Sequence, residues 1–157
     1  MARHRWSILC SGAVVDEQTN RLNLAGIIDE LHVGGVDRTT VEAGVAFNAN
    51  LLFVTLWWRS QREEPEDLQM RIVFVDPTGT AYGQTDGRDV DLRNYIVART
   101  IWKLEQMVVK GYGEHTIRIE SRARDSDPWS LVPQGDVVFF IGEAPPGDAP
   151  DPRANIA

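Results

Sequence analysis

The sequence is poor in cysteine, lysine and long hydrophobic runs. Its single cysteine, Cys10, excludes an internal disulfide and lies in the mostly apolar stretch of residues 6–15. A free cysteine in such surroundings behaves as a small buried hydrophobe, so we expect an unreactive thiol. No apolar run approaches the roughly 20 residues that a membrane-spanning helix needs. We therefore expect no membrane partner.

The charge is unbalanced in favour of acids. Sixteen lysine and arginine residues against twenty-three aspartate and glutamate residues give a formal net charge of −7 and a sequence pI near 4.9. Such a field repels a phosphate backbone, so a nucleic-acid partner is not expected. Lysine occurs only as Lys103 and Lys110. We interpret the resulting excess of arginine as a compositional bias rather than as a ligand site.

The length fits one domain. A chain of 157 residues buries about 68–70% of its unfolded surface, enough for a core without a disulfide or a metal. Residues 1–142 form the predicted domain. The composition then changes to proline, glycine, alanine and aspartate, so residues 143–157 are predicted to be a disordered tail. The N-terminal stretch lacks the continuous apolar segment of a secretory signal, which makes the cytoplasm the expected compartment.

Hydrophobic periodicity predicts strands throughout the domain. No window sustains the helical spacing of apolar positions, whereas alternation with a period of two recurs. The predicted strands cover residues 6–15, 22–28, 45–58, 68–75, 80–84, 95–109, 115–121 and 129–141. Turns rather than helical crossovers join them. We therefore predict an all-β fold, a two-layer antiparallel β-sandwich of about seven or eight strands, rather than a closed barrel or an α/β sheet.

Turn chemistry predicts how some of these strands pair. Residues 16–20 form a polar turn between the first two strands, which should make a hairpin. Asp76-Pro77-Thr78-Gly79 is a strong turn signal because proline presets φ and glycine supplies backbone freedom, so residues 68–75 and 80–84 should make a second hairpin. Residues 45–58 are long, apolar and free of proline, as in a central strand. The polar stretches 37–42, 59–67 and 85–94 are predicted to be loops.

The stretch from Gly113 to Glu120 resembles the Gly-x-Tyr-x-apolar-x-apolar start of a late strand in immunoglobulin-like sandwiches, with His115 in the place of the tyrosine. In that fold the tyrosine anchors the corner by packing under the turn and bonding to backbone. Together with residues 8–10, 22–29 and 71–79, this order of signals resembles a group of uncharacterised bacterial β-sandwich proteins, a domain of unknown function. The resemblance covers residues 6–141 and implies no catalytic residue.

Motifs for catalysis and for cofactor binding are missing from the sequence. His4, His32 and His115 are too far apart in sequence for the spacing that presents two imidazoles to one metal. No Gly-x-Ser-x-Gly elbow, Walker lysine or dinucleotide-binding glycine pattern occurs. We therefore expect no cofactor and no enzymatic activity.

Calcium is the metal for which the sequence offers candidate ligands. Asp86, Asp89 and Asp91 lie together in a predicted loop, and loop aspartates hold calcium on some sandwiches. The spacing matches no EF-hand, and Arg88 lies in the middle. A solvated loop is the favoured interpretation.

Trp57 and Trp58 are the candidate interface residues. Neighbouring residues of a strand point to opposite faces, so one of the two should face outward. A loop or the segment around Asp86 could cover it. An uncovered tryptophan could instead anchor a protein interface or stack on a sugar.

The leading functional prediction is a non-enzymatic binding module. Its partner would be another protein or a second copy of the chain, bound through a sheet face or edge near Trp57 and Trp58. A carbohydrate- or small-ligand-binding module is the alternative, and an unrecognised enzyme is a third possibility because sandwiches host many functions.

Overall fold

The computed structural model describes residues 2–59 and 66–144. Within these ranges the chain forms eleven strands and one helix. The strands are β1 (Ala2–Val15), β2 (Leu22–Ile27), β3 (Glu30–Val33), β4 (Val45–Arg59), β5 (Glu66–Val75), β6 (Ala81–Gln84), β7 (Arg88–Leu92), β8 (Val97–Val109), β9 (Gly113–Arg122), β10 (Ser130–Leu131) and β11 (Val137–Glu143). The helix α1 (Arg38–Ala43) lies between β3 and β4.

The strands form two sheets. The first sheet has four strands in the order β2-β1-β4-β8. The second has seven, ordered β3-β11-β9-β5-β6, with β10 beside β9 and β7 beside β5. Every pair is antiparallel except β3 with β11. This architecture confirms the all-β sandwich, and the larger strand number comes from the short strands β3, β7 and β10.

The core lies between the inner faces of the two sheets. Phe53 on β4 is fully buried, as are Met70 and Ile72 on β5 and Ile117 and Ile119 on β9. Their positions two residues apart put them on one face of each strand. Burying each of these side chains contributes about 1.5–3 kcal/mol, which is why the alternating pattern specifies these strands.

Both predicted hairpins are confirmed, as is the central position of β4. β1 pairs with β2, and β5 pairs with β6 across the turn at Asp76. β4 lies between β1 and β8 and pairs with both. Asp76 closes its turn by accepting hydrogen bonds from the backbone nitrogens of Thr78 and Thr80, each at 2.9 Å.

Two stretches predicted to be loops contain regular structure. Helix α1 occupies most of residues 37–42, because Asp37 caps it by accepting from the Thr40 nitrogen at 3.0 Å and Val41 is fully buried. β7 occupies much of residues 85–94, because Val90 and Leu92 alternate into the core between charged neighbours.

The remaining predicted boundaries fall at the edges of the described ranges. Of the predicted loop 59–67, Arg59 ends β4 and Glu66 begins β5, whereas residues 60–65 lie outside those ranges. Glu143 belongs to β11 and not to a tail. Residues 145–157 lie outside the described ranges.

The hairpin of β1 and β2 leaves the plane of the first sheet. β1 pairs with β4 only as far as Cys10, and beyond that point it pairs with β2 alone. The carbonyl oxygen of Asn20, in the hairpin turn, nevertheless accepts a hydrogen bond of 2.7 Å from Arg99 on β8. In register, Arg99 pairs with Leu56, and Leu56 pairs with Trp6. Along β1, Cys10 lies between Trp6 and the hairpin, so Arg99 lies well away from the end of the sheet where the hairpin begins. The hairpin must therefore fold back toward β8.

The fold-back covers part of the outer face of the first sheet. The inner face is occupied by the second sheet, so the hairpin passes over the outer face. Cys10 and Val54 are fully buried although they do not belong to the core cluster between the sheets. Each follows a core residue, Leu9 or Phe53, and so points to the outer face. Their burial agrees with a position under the hairpin, and it confirms the predicted burial of Cys10.

Candidate functional site

Trp57 and Trp58 point to opposite faces of the first sheet. Trp57 faces the core and is 2% exposed. Its indole nitrogen donates a 2.8 Å hydrogen bond to the Thr55 hydroxyl, and the His4 ring meets it edge-on at 5.2 Å between ring centroids. A buried indole whose only polar atom is satisfied is a packing residue.

Trp58 is half-buried on the outer face. The guanidinium carbon of Arg5 lies 4.1 Å from its ring centroid, a cation–π contact. In register, Trp58 lies between Arg3 on β1 and Val97 on β8. Among the described residues, the side chain that stacks on this ring is therefore Arg5 of β1. The segment around Asp86, which the sequence analysis named as one cover for the outward tryptophan, leads into β7 of the second sheet.

Trp58 belongs to an apolar patch that we call the tryptophan corner. Its apolar members, Trp6, Leu56, Trp58 and Val97, come from three neighbouring strands. Val97 is 49% exposed, and the other three are half-buried. The same two rows of the sheet carry Arg3 and Arg99, with Arg5 stacked above, and no acidic residue. The charged side chains of these two rows are therefore all positive, although the chain has a net charge of −7.

Arginine also stacks on tryptophan at two other places. The guanidinium of Arg88 lies 4.3 Å from the ring centroid of Trp102. Trp129 contacts both Arg71 and Arg122, at 4.6 Å and 4.5 Å. The arginine excess, which composition alone led us to set aside, thus has a packing role. No sequence spacing indicated it, because most of these contacts join distant segments.

The three candidate calcium ligands have different surroundings. Asp91 caps a turn by accepting from the backbone nitrogens of Arg93 and Asn94 and from the Asn94 side chain. The Asn94 side chain is the main cause of a lowered pKa of Asp91. Asp89 accepts from the Gln69 amide at 3.0 Å, and Asp86 is exposed. Among the described residues no three carboxylate, histidine or cysteine side chains come together as metal ligands.

The histidines lie in three separate environments. His4 Nε2 is 2.7 Å from the Ser7 hydroxyl, and burial lowers the pKa of His4. No acidic partner orients this pair in the part of the chain that the structure covers. His115 is fully buried, with Nδ1 3.2 Å from the Gly113 carbonyl oxygen, so it anchors the corner at the start of β9. His32 is half exposed beside Glu30.

A cavity of about 420 Å³ opens at the flank of the sandwich, where β7 of one sheet meets β8 of the other. We call it the flank pocket. It is lined by Asn20, Asp89, Val90, Asp91, Tyr95, Val97, Ala98, Arg99 and Thr100. The sequence analysis singled out Asp89 and Asp91 but missed Tyr95, which has no motif around it. Only the folded-back hairpin brings Asn20 to this place.

Comparisons with known proteins assign no family to the chain. No protein-family model matches it, and no curated protein is detectably similar. The resemblance to the bacterial β-sandwich group thus stays a prediction. Among the described residues no helix has the length and hydrophobicity needed to cross a bilayer.

Proposed function

We propose that this chain is a non-enzymatic, cytoplasmic binding module of a bacterium that takes a protein partner at the tryptophan corner. The observation that carries the proposal is the pair of half-buried tryptophans, Trp6 and Trp58, on the outer face of the first sheet. Tryptophan and arginine are the residues most enriched among those that dominate binding energy at protein interfaces. The corner combines both.

The surroundings of the corner favour an acidic partner surface. Apolar burial around Trp58 and Val97 supplies affinity, because it removes exposed apolar surface from water. Arg3, Arg5 and Arg99 surround this centre without an acidic residue in the same rows. A partner with an apolar centre and carboxylates at its rim is complementary, and the rim charges raise the association rate.

Solution mass is the first test. Size exclusion with light scattering is run on the wild type, on Trp58→Ala and on Phe140→Ala, a matched control that is 48% exposed on the other sheet. If the partner is a second copy, the wild type and the control form an oligomer that Trp58→Ala loses, with its circular dichroism spectrum unchanged. An oligomer that survives in Trp58→Ala contradicts the proposal.

If the protein is monomeric, a second experiment tests for a partner that is a different protein. A displayed random-peptide library is selected on the wild type and counter-selected on Trp58→Ala. We expect enriched peptides with aromatic or aliphatic residues beside aspartate or glutamate, and affinities that fall as salt rises. Val97→Glu places a negative charge beside these acidic peptides, so it should weaken their binding as well. Enriched peptides that bind Trp58→Ala and Val97→Glu equally well, or no enrichment, contradict the proposal.

A further inference from the structure

Three separate chain segments build the flank pocket. The hairpin turn contributes Asn20, β7 contributes Asp89 and Asp91, and the start of β8 contributes Arg99. Its volume of about 420 Å³ lies within the range of small-molecule sites. The pocket is therefore large enough for a ligand the size of a sugar ring.

The lining of the pocket includes an uncovered aromatic ring. Tyr95 is 61% exposed, and Val97 beside it is 49% exposed. The turn that precedes Tyr95 is held by Asp91, whose carboxylate accepts from Arg93 and Asn94. This turn orders the approach to Tyr95, so its flat apolar face is available without a large ordering cost.

The polar groups of the pocket both donate and accept. Asp89 uses Oδ1 for its bond with Gln69, and Oδ2 has no hydrogen-bond partner among the described residues. Arg99 uses Nη2 for the bond to Asn20, which leaves further N–H donors of the guanidinium. The lining of the pocket therefore offers a ligand an acceptor, a donor and an aromatic ring.

The pocket is lined by charges of both signs, so neither a simple anion nor a simple cation is complementary to the whole lining. An anion would approach the carboxylates of Asp89 and Asp91, and a cation would approach the guanidinium of Arg99. Hydroxyl groups suit all of these, because each hydroxyl can donate to a carboxylate or accept from a guanidinium. A pyranose also has an apolar C–H face that fits a tyrosine ring. We infer that the flank pocket binds a neutral saccharide.

This inference does not rest on the proposed protein-binding function. The two sites share Val97 and Arg99, but Trp58 does not line the flank pocket and Tyr95 is not part of the tryptophan corner. Trp58→Ala tests the first proposal and Tyr95→Ala tests the second, so the two proposals can fail separately.

The test is ligand-observed NMR by saturation transfer, using glucose, galactose, mannose and N-acetylglucosamine one at a time. We expect transfer to at least one sugar, with a dissociation constant on the order of 1 mM, as for a small unoptimised ligand. Tyr95→Ala and Asp89→Asn should each weaken binding about tenfold or more. Phe140→Ala, an exposed aromatic on β11 that lies outside the pocket, should leave it unchanged.

Three results would overturn the inference. The first is the absence of transfer to every sugar tested. The second is binding that both Tyr95→Ala and Asp89→Asn retain at wild-type strength. The third is transfer to tetramethylammonium or to acetate that exceeds transfer to the sugars, because the pocket would then select a charge. Circular dichroism spectra that match the wild type establish that both variants are folded.

Discussion

Arg99 of β8 donates a 2.7 Å hydrogen bond to the carbonyl oxygen of Asn20, across a sequence separation of 79 residues. This contact ties the turn of the first hairpin to the far strand of the same sheet. It also forms one wall of the flank pocket. The position of the hairpin and the shape of the candidate site therefore depend on one another.

Removing the Arg99 guanidinium should loosen the hairpin. Arg99→Met keeps an apolar stem but removes the hydrogen bond, which contributes about 1 kcal/mol. Cys10 is fully buried at the base of the hairpin, where β1 begins to pair with β2, and burial raises the pKa of its thiol, so modification requires opening. We expect an aromatic disulfide reagent to modify Cys10 about fivefold faster in Arg99→Met. Arg124→Met, at an exposed side chain without a described partner, is the control. Equal rates in the three proteins would contradict the fold-back.

A substitution inside the hairpin should act through backbone strain. Gly26 has φ +58°, and a Cβ there would lie 2.1 Å from the Ser11 hydroxyl oxygen. Gly26→Ala should therefore cost about 1–3 kcal/mol of unfolding free energy in a urea titration. Gly12→Ala in the same hairpin is the matched control, because its Cβ would meet only Ala25 at 3.6 Å. Similar losses in both variants would show that strain at Gly26 is not the cause.

The turn at Asp76 predicts a pH dependence of stability. Hydrogen bonds, chiefly from the Thr78 hydroxyl, hold the pKa of Asp76 below its usual range. A lowered folded-state pKa stabilises the protein above the unfolded value of about 3.9, and this stabilisation is lost as the pH falls through the folded value. Asp76→Asn should lower the melting temperature at about pH 6, and the difference should shrink by about pH 2.5. Asp86→Asn, at an exposed carboxylate without a described hydrogen-bond partner, is the control. A constant difference would exclude the carboxylate as the cause.

His115 should behave as a packing residue. It is fully buried beside Phe139, and its Nε2 has no partner in the described ranges. His115→Phe loses one hydrogen bond but also removes a buried unsatisfied nitrogen, so the unfolding free energy should change by less than about 1.5 kcal/mol. His115→Ala leaves a cavity and should cost about 3 kcal/mol. Equal losses of unfolding free energy for both variants in a urea titration would indicate that the imidazole nitrogens of His115, not its volume, stabilise the start of β9.

Local patterns predicted the strands whose alternation is clean and whose turns have strong chemistry. The β5–β6 hairpin follows from the Asp76 turn, and β4 from its long apolar run. β7 was not predicted, because its two core residues, Val90 and Leu92, lie among charged neighbours that indicate a loop. Helix α1 was not predicted because six residues are too few for a helical period to emerge.

The candidate sites were only partly predictable. Alternation showed that Trp57 and Trp58 face opposite ways, but not which of them is buried. The sequence analysis singled out Asp89 and Asp91 as candidate calcium ligands. Their neighbours in the flank pocket, Asn20 and Tyr95, were missed because Asn20 is distant in sequence and Tyr95 has no motif around it. The stacking of Arg5 on Trp58 had no local signal either, since it joins two strands.

Local patterns in the sequence were enough to predict the all-β class, the two hairpins, the buried cysteine and the opposite orientation of adjacent tryptophans. Each of these depends on period-two alternation or on turn residues within a few positions. The folded chain was needed to show that Trp57 is in the core, that Arg5 stacks on Trp58 and that Asn20 reaches Arg99. These features depend on strand register, on the packing of the second sheet and on a bend in one hairpin. Such long-range contacts form between segments whose local patterns carry no information about each other.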